Sequence, residues 1–247
     1  MRKNIILIAS ALFISGLHPA VAGISLDRTR MIFNGSAVSA SANLSNTSPD
    51  IPFLAQSWIE DAKGNKITSP LVVLPALQRI NGGQKGVVRI TKTSRIASLP
   101  QDRESVFYLN VREIPPKSKK ANVLQLSMQS RIKLFYRPEK IIPEDKSSVW
   151  QKNVVFRKEG SRLVADNPTP FFISVIGLKN KSGAKRGESL TTFPGIMIAP
   201  KSTLDVPVKT TNVNDFSMMY VNDYGGHPEI QYHCQGTVCR AISSGNE

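Results

Sequence analysis

Cysteine is nearly absent from these 247 residues: Cys234 and Cys239 are the only two. A zinc site needs three or four ligands, and only His227 and His233 stand near that pair, so no metal and no other cofactor is expected. No Gly-x-Ser-x-Gly, zinc-ligand or phosphate-loop pattern occurs, which argues against an enzyme. Helical periodicity and internal repeats are missing as well. Long apolar runs are also lacking. The longest, Ile5–Leu17, falls short of the ~20 residues a spanning helix needs, so stable membrane insertion is not expected. Acidic residues are outnumbered, 18 against 32 basic, for a net charge of +14. The basic residues are dispersed and form no RNP-type or helix-turn-helix pattern, which speaks against nucleic acid as the partner. Acidic proteins are favoured instead.

What is present begins with an address. Arg2 and Lys3 precede the Ile5–Leu17 run, and Ala20-Val21-Ala22 supplies an A-x-A cleavage site, the pattern of a secretory signal spanning residues 1–22. Gly23 is then the first mature residue, and removing Arg2 and Lys3 leaves 30 basic against 18 acidic residues, a net +12. An exported chain meets an oxidising compartment, where Cys234 and Cys239 should pair as a local staple. The remaining 225 residues exceed one typical sandwich and suit two domains.

Short runs rich in Val, Ile, Thr, Phe and Tyr, punctuated by 16 Pro and 16 Gly, define an all-β class. Strands are expected at Ile24–Phe33, Ala37–Asn43, Phe53–Glu60, Leu71–Leu74, Lys85–Thr91 and Val106–Arg112. A seventh, Asn122–Arg137, contains no Pro or Gly and would extend on the order of 50 Å at ~3.4 Å per residue, far beyond the common ~17–20 Å. A kink near Gln129–Arg131, giving two strands, is the alternative. The polar, Pro-punctuated stretch after Pro138 reads as a linker, dividing domains at 23–143 and 144–247. The second half shows about seven further candidates: Val154–Lys158, Arg162–Ala165, Phe171–Leu178, Ile196–Ile198, Leu204–Val208, Met218–Asn222 and Glu229–Cys234.

Six strings carry a resemblance: Ser25-Leu26-Asp27-Arg28-Thr29-Arg30, Pro100–Ser105, Arg112-Glu113-Ile114-Pro115-Pro116, Ile132–Pro138, Asn167-Pro168-Thr169-Pro170 and Asn222-Asp223-Tyr224-Gly225-Gly226. Together they resemble the PapD-type periplasmic chaperones of the chaperone–usher pathway, over essentially the whole mature chain. The resemblance implies two immunoglobulin-like β-sandwiches joined by a short hinge in a boomerang-like arrangement. It implies periplasmic residence, pilus subunits and an outer-membrane usher as partners, and a strand lent to an unfinished subunit. On this carry-over Leu124, Leu126 and Met128 are the donated face, with Val123 less clearly included. Arg30 and Lys133 would hold the subunit's C-terminal carboxylate, although the residues alone do not choose Arg30 over Arg28 or Lys133 over Arg131. Glu104, Arg137 and Asp223 would form an interdomain ion network, expected as a surface feature that fixes domain angle more than stability. The short stretch Pro115–Ala121 resembles that of chaperones serving rod-like pili. An exported structural or adhesive pilus component is the competing reading, disfavoured because such a subunit should lack a strand.

Overall fold

The computed structural model describes residues 23–118, 122–145, 147–183 and 186–242. The expected signal, residues 1–22, lies outside them, as do the last three residues of the Pro115–Ala121 stretch. Strands β1 (Ile24–Leu26) and β2 (Arg30–Asn34) replace the single expected strand Ile24–Phe33, β2 running one residue past it, and the chain changes sheets between them. The cause is a polar knot at Asp27. Its N–H donates to Asn43 O at 3.1 Å, while its carboxylate accepts from Arg28 Nε and Asn43 Nδ2 at 2.8 Å each. That knot ties β1 to one sheet and releases β2 to the other.

Next come β3 (Ser39–Asn46), β4 (Phe53–Glu60), β5 (Lys66–Ile67), β6 (Leu71–Leu74), β7 (Leu77–Ile80), β8 (Lys85–Lys92), β9 (Ser105–Ile114) and β10 (Gln129–Arg137). They form one sheet in the order β1-β3-β8-β6 and a second in the order β2-β10-β9-β4-β5, with β7 also paired to β4. Alternate residues face inward, so Phe33, Leu44, Ile59, Leu71, Ile90, Leu109 and Leu134 fill one fully buried core. β5 and β7, too short to carry a pattern of their own, were not anticipated.

The expected Asn122–Arg137 strand is corrected: pairing begins only at Gln129. The reason lies in the neighbour. β9 ends at Ile114, and Pro115-Pro116 offers no N–H to continue a ladder, so beyond a last backbone bond from Glu113 to Met128 the residues 123–127 run past the sandwich without a partner strand.

The second half contains β11 (Val155–Glu159), β12 (Arg162–Asn167), β13 (Ile173–Asn180), β14 (Ile196–Ile198), β15 (Ser202–Val206), β16 (Asp215–Val221), β17 (Glu229–Gln235) and β18 (Val238–Ala241). All eight join one ladder, β14-β13-β16-β17-β18-β11-β12-β15, which folds over to close a sandwich. Phe156 on β11 meets Phe216 on β16 and Tyr232 on β17 edge to face, at 5.3 and 5.0 Å between ring centres, so the two flanks share one core. β18 exceeds the expectation of seven strands. It closes a hairpin through Gly236, whose φ of +62° suits glycine. Cys234 pairs with Cys239 across that hairpin in a disulfide. Substituting both by serine should lower the urea-unfolding free energy of this half by ~2 kcal/mol, the chain-entropy value for so short a loop; an unchanged midpoint would show that the β-ladder alone fixes the hairpin.

Candidate functional site

Arg30 opens β2, and Lys133 faces it in the parallel pairing with β10. Their neighbours Met31 and Leu134 point into the core, so the two cations share the outer face of the sheet. β2 covers β10 only from Lys133 onward, and residues 129–132 therefore keep one edge free opposite β9.

The four cations that the residues alone left undistinguished differ in their surroundings. Arg28 is tied to Asp27 at 2.8 Å, and Arg131 to Glu60 at 2.9 Å while lying 3.5 Å from the Tyr108 ring centre. Arg30 and Lys133, by contrast, form no ion pair among the described residues. The second domain orients both: Arg30 Nη1 donates to Val221 O at 2.9 Å, and Lys133 Nζ donates to Ser174 Oγ at 3.3 Å. Arg30 Nε is buried with no hydrogen-bond partner. Burial pulls the Lys133 ammonium below its ordinary value of 10.5, and the Arg30 charge pulls it further. Burial also lowers Arg30, against the opposing charges of Asp223 and Glu104. Two adjacent, partly desolvated cations with unused donors have the chemistry that suits a carboxylate. A cleft of about 450 Å³ opens beside Lys133, bordered by Tyr108, Ser174, Met197 and Val221. Neither Ser174 nor Val221 carried a signal in the sequence, since both act by position.

Glu104, Arg137 and Asp223 meet across the domain junction. Arg137 donates from Nε to Glu104 at 2.8 Å and from Nη1 and Nη2 to the two oxygens of Asp223 at 2.8 and 3.2 Å. The expectation of a surface pair is corrected, because the Glu104 and Arg137 side chains are 2% and 6% exposed. The guanidinium also lies 5.1 and 4.9 Å from the Trp150 and Phe171 ring centres. The second Glu104 oxygen accepts from the Phe172 N–H at 2.8 Å. Burial pushes the Glu104 carboxyl up, with the Arg137 charge pulling against it.

Leu124, Leu126 and Met128 are 84%, 72% and 58% exposed, and Val123 is 49%. In an extended backbone their even-numbered parity continues the core-facing row of Ile132, Leu134 and Tyr136 past the end of the sandwich. The base of the segment is fixed through Glu113: its N–H donates to Met128 O at 3.0 Å, its Oε1 accepts from the Met128 N–H at 3.3 Å, and its carbonyl accepts from the Ser127 hydroxyl. Glu113 stands within the Arg112–Pro116 string, where the sequence alone marks no role for it.

Two β-sandwiches, a β10 edge left open over residues 129–132 and an exposed apolar row beside it are the features of a binding protein. The chain belongs to the PapD family of pilus-assembly chaperones. Residues 23–142 match the family described as pili and flagellar-assembly chaperone, PapD N-terminal domain, and residues 149–232 match pili assembly chaperone PapD, C-terminal domain. The chain is similar to chaperone protein PmfD of Proteus mirabilis, with 62% identity over 94% of this chain and 91% of the relative. It is 43% identical to chaperone protein PapD of Escherichia coli, over 97% of each. Its fold matches that of the Salmonella enterica SafB chaperone solved with the SafA pilin, with a TM-score of 0.73, 23% identity, and coverage of 88% of this chain and 99% of that one. The chain is therefore a non-enzymatic pilus chaperone, and the competing reading as a pilus component falls away.

Glu104→Ala should cost about 3 kcal/mol, because it strips a buried guanidinium of one carboxylate. Small-angle X-ray scattering should also show a changed interdomain angle. A loss within the ~0–1 kcal/mol of an exposed pair would contradict the burial argument.

Proposed function

We propose that this protein is exported through the signal in residues 1–22, resides in the periplasm and works as two domains, 23–143 and 144–247, that capture pilus subunits and pass them to the outer-membrane usher. The single observation that carries the binding mode is the free edge of β10, which stops where Arg30 and Lys133 stand. β2 runs parallel to β10 and begins at Arg30. A partner strand that extends β2 backward along the free edge, in the same direction, arrives at this point with its C-terminus. Its terminal carboxylate then meets both cations, and that anchor sets the register of everything upstream.

Leu124, Leu126 and Met128 supply the apolar half of the capture. Backbone hydrogen bonds along the edge give general affinity, and the alternate side chains enter the subunit's open groove. Each buried side chain contributes ~1.5–3 kcal/mol, so three give roughly 5–9 kcal/mol before ordering costs. An exposed row of this kind is an aggregation hazard unless it has a partner. The Glu104–Arg137–Asp223 network holds the second domain so that Val221 and Ser174 keep both cations aimed.

Co-expression with a cognate subunit tests this. Arg30→Ala and Lys133→Ala should each abolish recovery of the complex, and wild-type yield from either would refute the anchor. Leu126→Asp should block capture while circular dichroism of the free protein stays unchanged; loss of fold would place Leu126 in the chaperone's own core instead. A pH series gives an independent check. The Lys133 value is depressed in the free protein and restored by a bound carboxylate, so binding takes up a proton between the two values. Affinity should therefore fall as pH rises through that window, and Lys133→Arg, which stays charged, should flatten the fall.

A further inference from the structure

Glu113 is buried, 5% exposed, yet forms no ion pair among the described residues. A lone buried carboxylate is costly unless it is paired or well hydrogen-bonded. One of its oxygens accepts from the Met128 N–H, at the base of the donor segment. The other accepts from the Ile24 N–H at 2.8 Å, at the start of β1. Gly23, immediately before, is buried and held by its carbonyl, which accepts from the Thr47 N–H at 2.9 Å. A Cβ placed on Gly23 would stand 2.5 Å from Glu113 Oε2 and 2.9 Å from the Phe53 ring. No larger residue fits there without displacing the carboxylate or the ring. From standard bond lengths, the Gly23 nitrogen lies within about 5 Å of that oxygen.

In the uncleaved chain this nitrogen is a neutral amide. Cleavage after Ala22 turns it into an ammonium. We infer that the α-ammonium of Gly23, created by signal removal, is the missing counter-charge of Glu113, and that this pair fixes the donor segment at Met128. Glu113 is then a positioning residue for subunit capture, which acts only in the processed protein. The inference rests on the export and donor-segment readings above. Opposite charges this close, away from bulk water, attract strongly. The ion pair joins two places far apart in sequence, the first mature residue and the root of the lent strand, through one side chain of β9.

The test uses full-length mature protein released from a cleavable fusion so that Gly23 comes first. The same protein is made with one alanine added in front and with Gly23 acetylated, each in wild-type and Glu113→Gln chains. Amide exchange at Met128 should speed up by about tenfold on extension or acetylation of the wild-type chain and change little in the Glu113→Gln chain, a coupling that a double-mutant cycle isolates. The Gly23 amine, followed by NMR, should titrate above the ~7.7–8.0 of an ordinary α-amine and return there in Glu113→Gln. An amine that titrates at its ordinary value, or an equal effect in both backgrounds, would overturn the ion pair. Should Glu113→Gln fail to fold, the acetylated wild-type chain still decides: unchanged Met128 exchange defeats the proposal. Mass analysis of the exported protein separates this from the reading beneath it. A first residue other than Gly23 removes the processing step, and the switch with it, whatever the variants show.

Discussion

The parallel pairing of β2 with β10 decides most of what this molecule can do, because it stops short. Had β2 continued backward past Arg30, it would have covered residues 129–132 and finished the sandwich as an ordinary immunoglobulin-like domain. The Asp27 knot prevents that by drawing the chain into the opposite sheet. An edge is left open on β10, and Arg30, the first residue of β2, stands at the limit of that edge. The position of the two cations proposed as the anchor and the unfinished edge are thus two results of one sheet switch.

Much of this was legible in the sequence, for identifiable reasons. Strand content showed through because turn residues and β-branched runs alternate with little ambiguity, and β4, β6 and β8 fall almost where that pattern puts them. The overlong segment before Arg137 was visible as an apolar run without a breaker, although its pairing was not. The pleat of residues 122–128 depends on a neighbour, and β9 ends at two prolines that the local pattern could not relate to it. Arg28 and Arg30 look alike in sequence because both read as cations of the expected first strand. What separates them is the position of Asp27 and of Val221, the latter 191 residues away. Burial of Arg137 was illegible for the same reason, since Trp150, Phe171 and Asp223 all come from the other side of the junction.

Energetics explain why the open edge persists. A domain stable by ~5–15 kcal/mol cannot hide three large apolar side chains at will, and Leu124, Leu126 and Met128 have no core of their own to enter. On the proposed binding mode their burial waits for a subunit's groove, so the gain of roughly 5–9 kcal/mol would appear only in the complex. The buried ion network works the other way. Its charges offer no net stability over a well-packed apolar substitute, but the bidentate grip on Asp223 allows few interdomain angles. The proposed carboxylate site needs that restriction, because both of its orienting hydrogen bonds come from the second domain.

β9 connects these devices. Glu104 immediately precedes it and Glu113 lies near its far end, so two buried carboxylates bracket one strand that spans on the order of 30 Å at ~3.4 Å per residue. The first reaches into the second domain through Arg137 and the Phe172 N–H, and the second reaches the start of β1 and the base of the donor segment. Between them β9 hydrogen-bonds to the whole of β10 from Gln129 to Tyr136, the strand that carries Lys133. The separation between Lys133 and the Leu124–Met128 row is therefore set by a central strand tied at both ends, and a rigid ruler of that kind is what the proposed register-specific capture of an extended chain requires.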